Sequence, residues 1–428
     1  MLLNSLLDRV QVLGLLKRRG RQRTDSTHVL AAVRVLNRLE RVGETLRATL
    51  NALAVVAPDW LRAQAPPEWY HRYSHRVENY ELPKTEAARR ELAASIGADG
   101  QQLLRAIDAS EQEWLLKVPA VQVLRQVWAE QYVTDTDKLR WREVKEMPPS
   151  AEMIASPYDP EARYSTKREL EWVGYKVHLT ETCDSNTPHL LTNVETTPAT
   201  IPDDNMLAVV HASLAARDRL PDEHLVDKGY TDAHVLVGSQ REYGVTIVGP
   251  VAEDPSWQAQ AGAGFAKADF AIDWETQTAT CPMGKQNLSW LVNPDITKPE
   301  TTVVRFSRRD CSPCSARAQC TRRQVEPGEL VLQPRVEHEA LRTARRRQQT
   351  AAFRGQYAAR AGVEGTHAQA VRRSGLRQAR YIGLARTHLQ HIATAAAINV
   401  IRLGEWCAGT SVRGTRCSRF AALQPEAA

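Results

Sequence analysis

Three acidic residues stand where carboxylate chemistry could be built. Asp25 lies in the extended stretch Arg21–Val29, within the run Thr24-Asp25-Ser26-Thr27. Asp227 interrupts the apolar segment His224–Tyr230 (HLVDKGY), and Glu364 sits in a helical segment that starts near Tyr357. Carboxylate and water oxygens are the ligands Mg2+ prefers, and two such ions held by acids far apart in sequence can drive phosphoryl transfer. Taken singly, each has a plainer reading: Asp25 as a cap or turn residue, Asp227 as a turn residue at a strand end, Glu364 as an exposed helical glutamate. Asp203, Asp204 and Asp222 are neighbouring acids in turn-like contexts. The second set is sulfur. Cys281, Cys311, Cys314 and Cys320 read CPxG, then CxxC, then a further cysteine. Their composition suits a structural zinc site with four cysteine ligands, with ordinary reduced thiols as the alternative. Cys183, Cys407 and Cys417 are read as incidental.

The elements that must position these residues are legible from periodicity. Leu2, Leu3, Leu6, Leu7, Val10, Leu13 and Leu16 recur at helical spacing, and Gly20 ends that helix. An extended stretch over Arg21–Val29 is followed by a long helix reaching about Val56. Residues 58–147 stay helical in pattern, with Trp60, Trp69, Trp114, Trp128 and Trp141 read as core anchors. After Pro148-Pro149 the period changes. Gly174–Asp184 and His189–Thr200 alternate as a hairpin, and His224–Tyr230 and Val245–Val251 read as buried strands, with helices over Asn205–Arg219 and Asp232–Tyr243. Short strands and the cysteines fill 252–334, and helix resumes from about Glu337 to Trp406, broken near Gly375 and Gly383. This is an α/β pattern.

Charge is segregated along the 428 residues. Residues 1–50 carry a net +6, 51–150 carry −2, 151–334 carry −9 and 335–428 carry +11, and every basic residue of the last segment is Arg. Arg presents a planar fork suited to phosphate, so a polyanion is the expected partner, nucleic acid before membrane. The plainer reading is a solvated basic helix face. No run of 18 apolar residues occurs and the amino-terminal segment lacks signal-peptide form, so a cytoplasmic location and no membrane partner are expected.

In combination, Asp-Ser-Thr at 25–27, Gly-Tyr-Lys-Val-His at 174–178, Asp-Lys-Gly-Tyr at 227–230 and Tyr-x2-Arg-x3-Glu at 357–364 resemble the DDE transposases of bacterial insertion sequences, closest to the insertion sequence 1182 group. The likeness runs from about Arg21 to about Leu403. It implies a ribonuclease-H-like mixed sheet with flanking helices, a helical insertion after the first strand and a Cys-rich insertion before the last catalytic helix. It also implies that Asp25, Asp227 and Glu364 hold two Mg2+ (or Mn2+) ions, that Tyr357, Arg360, His367, Arg372 and Arg373 contact DNA, and that the insertion with Cys281, Cys311, Cys314 and Cys320 lies alongside the DNA, whether those cysteines hold a structural Zn2+ or stay reduced thiols. Tyr357, Arg360 and Glu364 are expected on one helical face. Where the family pattern places a Lys seven residues beyond the Glu, this chain has Val371, and Arg372 is rotated about 100° from that direction.

The implied partners are double-stranded DNA, as the element's terminal inverted repeats and the target, and a second copy of the chain in a synaptic complex. The implied domains are a remnant helix of an amino-terminal domain (1–19), a first part of the catalytic domain (20–57), a helical insertion (58–150), the α/β core (151–251), the Cys-rich insertion (252–334), carboxy-terminal catalytic helices (335–406) and a flexible tail (407–428). Because relatives carry a helical DNA-binding domain ahead of the first strand, truncation is an expectation. A non-catalytic DNA-binding remnant is then the alternative to an active enzyme.

Overall fold

A computed structural model describes residues 2–135, 138–262, 264–293 and 300–410. The tail 411–428, with Cys417, lies outside the described residues. The centre is a mixed sheet built on β1 (Arg19–Leu30). On one side of β1 runs the antiparallel β3 (Leu170–Thr182), whose far edge is shared by β2 (Arg163–Lys167) and β4 (Leu191–Pro198). On the other side run β5 (Pro221–Val226) and β6 (Thr246–Val248), both parallel to their neighbours. The fold is therefore mixed α/β, and the hairpin expected over Gly174–Thr200 is the β3–β4 pair.

Gly174 marks the end of the pairing between β3 and β1. Its φ is 154°, and a Cβ there would lie 2.1 Å from the Val29 carbonyl oxygen, so no other residue fits this crossing. Below it, Tyr175, Val177 and Leu179 of β3 are buried in one core with Leu3, Leu7 and Val10 of α1 (Leu2–Val12) and with Ala395, Ala396 and Ile398 of the last helix, Leu384–Cys407. The amino-terminal helix is thus part of the core that supports the sheet.

Within 58–131 the helices are Pro58–Gln64, Pro67–Tyr73, Glu86–Asp108 and Pro119–Gln131, in line with the helical pattern, but Tyr132–Asp135 and Lys138–Trp141 form an antiparallel pair where helix was expected. Tyr132 and Trp141 face each other edge-on at 5.1 Å, and the Arg38 guanidinium lies 3.9 Å from the Trp141 ring. A cross-strand aromatic pair outweighs the weak helical period there. Trp69 and Trp128 anchor this helical core and Trp60 and Trp141 pack against it, whereas Trp114 is exposed at its edge.

The Cys-rich segment builds its own three-stranded sheet, Asn287–Asn293, Thr301–Phe306 and Glu329–Leu332, over a small core of Phe270, Val304, Phe306 and Leu332. The carboxy-terminal helix is divided more often than expected. Gly375 (φ 63°) ends one helix and Gly383 (φ 92°) precedes the next, as the glycines suggested, but Arg335–Gln348 also ends at Gln349 and a tight turn, Ala358–Ala361, falls between Ala351–Tyr357 and Gly362–Ser374.

Candidate active site

The sheet register places the two aspartates side by side. Thr24 of β1 lies opposite Val226 of the parallel β5, so the next residue on each strand, Asp25 and Asp227, comes out at the same level. Asp25 is mid-strand and so no helix cap; one oxygen accepts the Ser26 N–H at 2.9 Å. Asp227 does cap a turn, taking the Gly229 N–H at 2.9 Å on Oδ1. In both residues the other oxygen, Oδ2, faces Arg360.

Arg360 is what unites the three acids. Its Nη2 lies 2.7 Å from Asp25 Oδ2 and 3.9 Å from Asp227 Oδ2, while Nη1 lies 3.2 Å from Glu364 Oε1. One guanidinium therefore sits among three carboxylates and cannot balance them all. Burial raises the Asp25 carboxyl above its ordinary value even against Arg360, and burial with repulsion from Asp25 raises Asp227. Arg360 itself is raised: burial opposes its charge, but Asp25, Tyr357, Asp227 and Glu364 more than offset it. Glu364, in the first turn of Gly362–Ser374, keeps 69% of its side chain exposed and closes the site on the solvent side.

The even-numbered residues of β1 face the opposite way and carry a supporting layer. Ser26 Oγ donates to Asp203 Oδ2 at 3.0 Å, and Lys176 Nζ reaches Asp203 Oδ1 at 3.1 Å. The His178 ring meets the Tyr230 hydroxyl at 2.6 Å, and Thr24 Oγ1 meets His224 Nε2 at 2.7 Å. Burial pushes His178 down to about 4, so it is neutral at pH 7. The GYKVH and DKGY runs are thus joined in space: Lys176 and His178 of one meet Asp203 and Tyr230 beside Asp25. Asp203, in a turn-like sequence context, is a fourth acid beside Asp25 and Asp227.

The residues expected at DNA separate into two groups. Arg360 turns inward to the acids, and Tyr357 stacks on Phe353 at 5.6 Å with its ring half-buried. His367 is buried, and burial takes it down to about 4. It lines a cleft of about 460 Å³ with Asp25, Ser26, Glu364, Arg372 and Arg377. Arg372 and Arg373 are exposed, as are Arg342, Arg346, Arg354 and Arg386. The tight turn at Ala358–Ala361 means that Tyr357, Arg360 and Glu364 do not share one regular α-helical face.

The cysteines gather at the edge of the small sheet. The Cys281 turn is closed by Cys281 N–H to Lys285 O at 2.8 Å, and Lys285 N–H points at Cys281 Sγ at 3.3 Å. Burial, then repulsion from Cys281, Cys314 and Cys311, pushes the Cys320 thiol up to about 11. As these side chains stand, no group of three or more His, Cys, Asp or Glu among the described residues is arranged to hold a metal ion. At the acids, a guanidinium takes the central position.

Residues 280–404 match the family model of the transposase DDE domain. The matched segment spans the four cysteines and the stretch with Tyr357, Arg360 and Glu364, and it supports a DDE transposase. Asp25 and Asp227 lie outside it. No curated protein and no solved structure matches the chain. A transposase domain implies DNA as substrate, and no described helix is long and apolar enough to cross a membrane.

Proposed function

We propose that this chain is a DNA transposase of the insertion sequence 1182 group that cleaves and joins strands at the ends of its element, with Asp25, Asp227 and Glu364 as its acidic triad. The observation that carries the proposal is the convergence on Arg360 of carboxylates from the middle of β1, the end of the adjacent β5 and a helix more than 130 residues further on. The strand order, with β1 central, β3 antiparallel and β5 and β6 parallel, supports a ribonuclease-H-like fold.

The donor set fits divalent cations. Two aspartates raised by burial and, for Asp227, by the other's charge are a pair that a dication would relieve. Two Mg2+ or Mn2+ ions held by Asp25, Asp227 and Glu364 would supply the Lewis-acid chemistry of hydrolysis and strand transfer. The chain's own groups do the rest. Arg360 offsets surplus negative charge where a scissile phosphate must approach, and Lys176 and Ser26 hold Asp203 in place beside the acids. Exposed Arg372 and Arg373 contact the DNA backbone, and His367 shapes the cleft wall as a neutral ring. Cys281, Cys311, Cys314 and Cys320 are a chemically suitable set for a structural Zn2+, which would tie the small sheet together. Bringing two element ends together calls for two copies of the chain.

The test is strand cleavage and joining on element-end DNA with Mg2+, comparing wild type with Asp227→Ala and Glu364→Ala. Both variants should be inactive; activity surviving in either one removes that residue from the triad. DNA binding without any wild-type cleavage would favour the non-catalytic reading. Zinc is decided by metal analysis: one ion per chain is expected, and less than one after purification without chelator discards that site.

A further inference from the structure

Glu181, on β3, is completely buried and yet charged on both sides. Its Oε1 accepts from Arg23 Nε at 2.7 Å, and its Oε2 accepts from Arg402 Nη1 at 2.6 Å and from Thr366 Oγ1 at 2.7 Å. Arg402 Nη2 also donates to Thr366 Oγ1 at 2.6 Å, and Arg402 Nη1 to the His189 carbonyl at 2.7 Å. Arg23 Nη1 donates to the Ala359 carbonyl, one residue before Arg360. A Cβ on Gly362 would lie 2.2 Å from Arg23 Nη1, so the guanidinium runs directly beneath the start of the Glu364 helix.

The partners of Glu181 are not scattered. Arg23 is two residues before Asp25 on β1, hence on the same strand face, and Thr366 is two residues after Glu364. Arg402 belongs to the last helix. One buried carboxylate therefore joins the strand that carries the first acid, through Arg23 158 residues before it, to the helix that carries the third, through Thr366 185 residues after it.

We infer that Glu181 is a positioning residue for the site: with Arg23, Thr366 and Arg402 it sets the distance between Asp25 and the Arg360–Glu364 segment. It touches none of the acids and acts through the two elements it joins. This inference rests on the proposed transposase reading for its effect on catalysis, but the coupling itself is a property of the folded chain.

The experiment compares wild type with Thr366→Val, which removes one hydroxyl at constant shape, with Thr366→Ser as the conservative variant, and with Glu181→Gln. Three readouts are taken on the full chain: kcat and KM for element-end DNA, Mn2+ affinity by electron paramagnetic resonance, and amide exchange of residues 358–366. Thr366→Val should lower kcat and Mn2+ affinity about tenfold each with KM for DNA unchanged, the usual cost of losing a supporting partner. Exchange over 358–366 should rise while the thermal midpoint of the whole chain holds, and Thr366→Ser should restore all three values. Wild-type exchange and Mn2+ affinity in Thr366→Val would overturn the inference, as would equal loss in the serine variant. Glu181→Gln should lower kcat and Mn2+ affinity further, with a fall in the thermal midpoint because two guanidiniums lose their anion; if it does not fold, Thr366→Val decides. A wild type that cleaves no DNA defeats the transposase reading alone, since the Mn2+ and exchange readouts still judge the positioning role.

Discussion

Two charge clusters lie side by side between β1 and the Glu364 helix, and they are near opposites. Around Arg360, one cation faces three carboxylates, and the outermost, Glu364, is 69% exposed. Around Glu181, one carboxylate faces two guanidiniums and a hydroxyl, and it is fully enclosed. The first has charge left over and an opening to solvent, the condition of a place that takes a ligand. The second is close to satisfied and sealed, the condition of a fastening. A buried charge with two partners is costly to break from one side, because the partners remain buried. An acid-rich cluster at a cleft is costly only to chemistry when one acid is lost.

The largest effect that can test this contrast is on activity. Replacing Asp25 by Ala should cut Mg2+-dependent strand cleavage by at least about a hundredfold, the scale seen when one preorganised electrostatic partner is removed. Stability, followed by urea unfolding, should stay within about 1 kcal/mol, because the lost charge leaves a repelling cluster. Glu181→Gln should behave the other way in stability, losing about 3–5 kcal/mol by the same measurement, since Arg23 and Arg402 stay buried without their anion. Equal stability losses in the two variants would erase the distinction.

Gly362→Ala tests the fastening from its other side. The new methyl must displace Arg23, and overpacking of this kind should lower stability by about 1–3 kcal/mol in a thermal melt, although alanine is the better helix former.

The smallest effect is the response to pH. Burial alone would raise the Glu181 carboxyl, but Arg402 and Arg23 outweigh it and hold it below 4.5. A carboxyl lower in the folded state contributes stability that is complete above its unfolded value and fades as pH falls through the folded one. Wild type should therefore lose stability progressively below about pH 4.5, and Glu181→Gln should lack that part of the slope. Asp25 and Asp227 are raised and work oppositely: their penalty eases as pH falls, so acid titration of Asp25→Ala should be the steeper of the two.

Much of the site was readable in the chain before any tertiary contact was known. Alternation over Gly174–Thr200 announces β3 and β4, and the apolar run ending at Asp227 announces β5 because a strand buried on both faces needs little else. Gly375 and Gly383 mark helix breaks because only glycine adopts those φ values cheaply. The Tyr132–Trp141 strand pair was not readable, since its stabilising contact is between chain segments and not along one. Glu181 looked like any strand glutamate. Its meaning depends on Arg402, 221 residues away, and no local spacing signals that pairing.

The amino-acid sequence by itself determined the inventory: three acids in strand and helix contexts, four clustered cysteines, an Arg-only basic end and an α/β succession of elements. Tertiary structure decided which charges meet. The register of β1 against β5 sets Asp25 beside Asp227, the tight turn at Ala358–Ala361 carries Arg360 inward among the acids, and the buried Glu181 holds that turn's helix to β1. The reason is physical: periodicity encodes which face of an element is apolar, whereas charge pairing across hundreds of residues is chosen only when the packed faces bring those side chains within a few ångströms of each other.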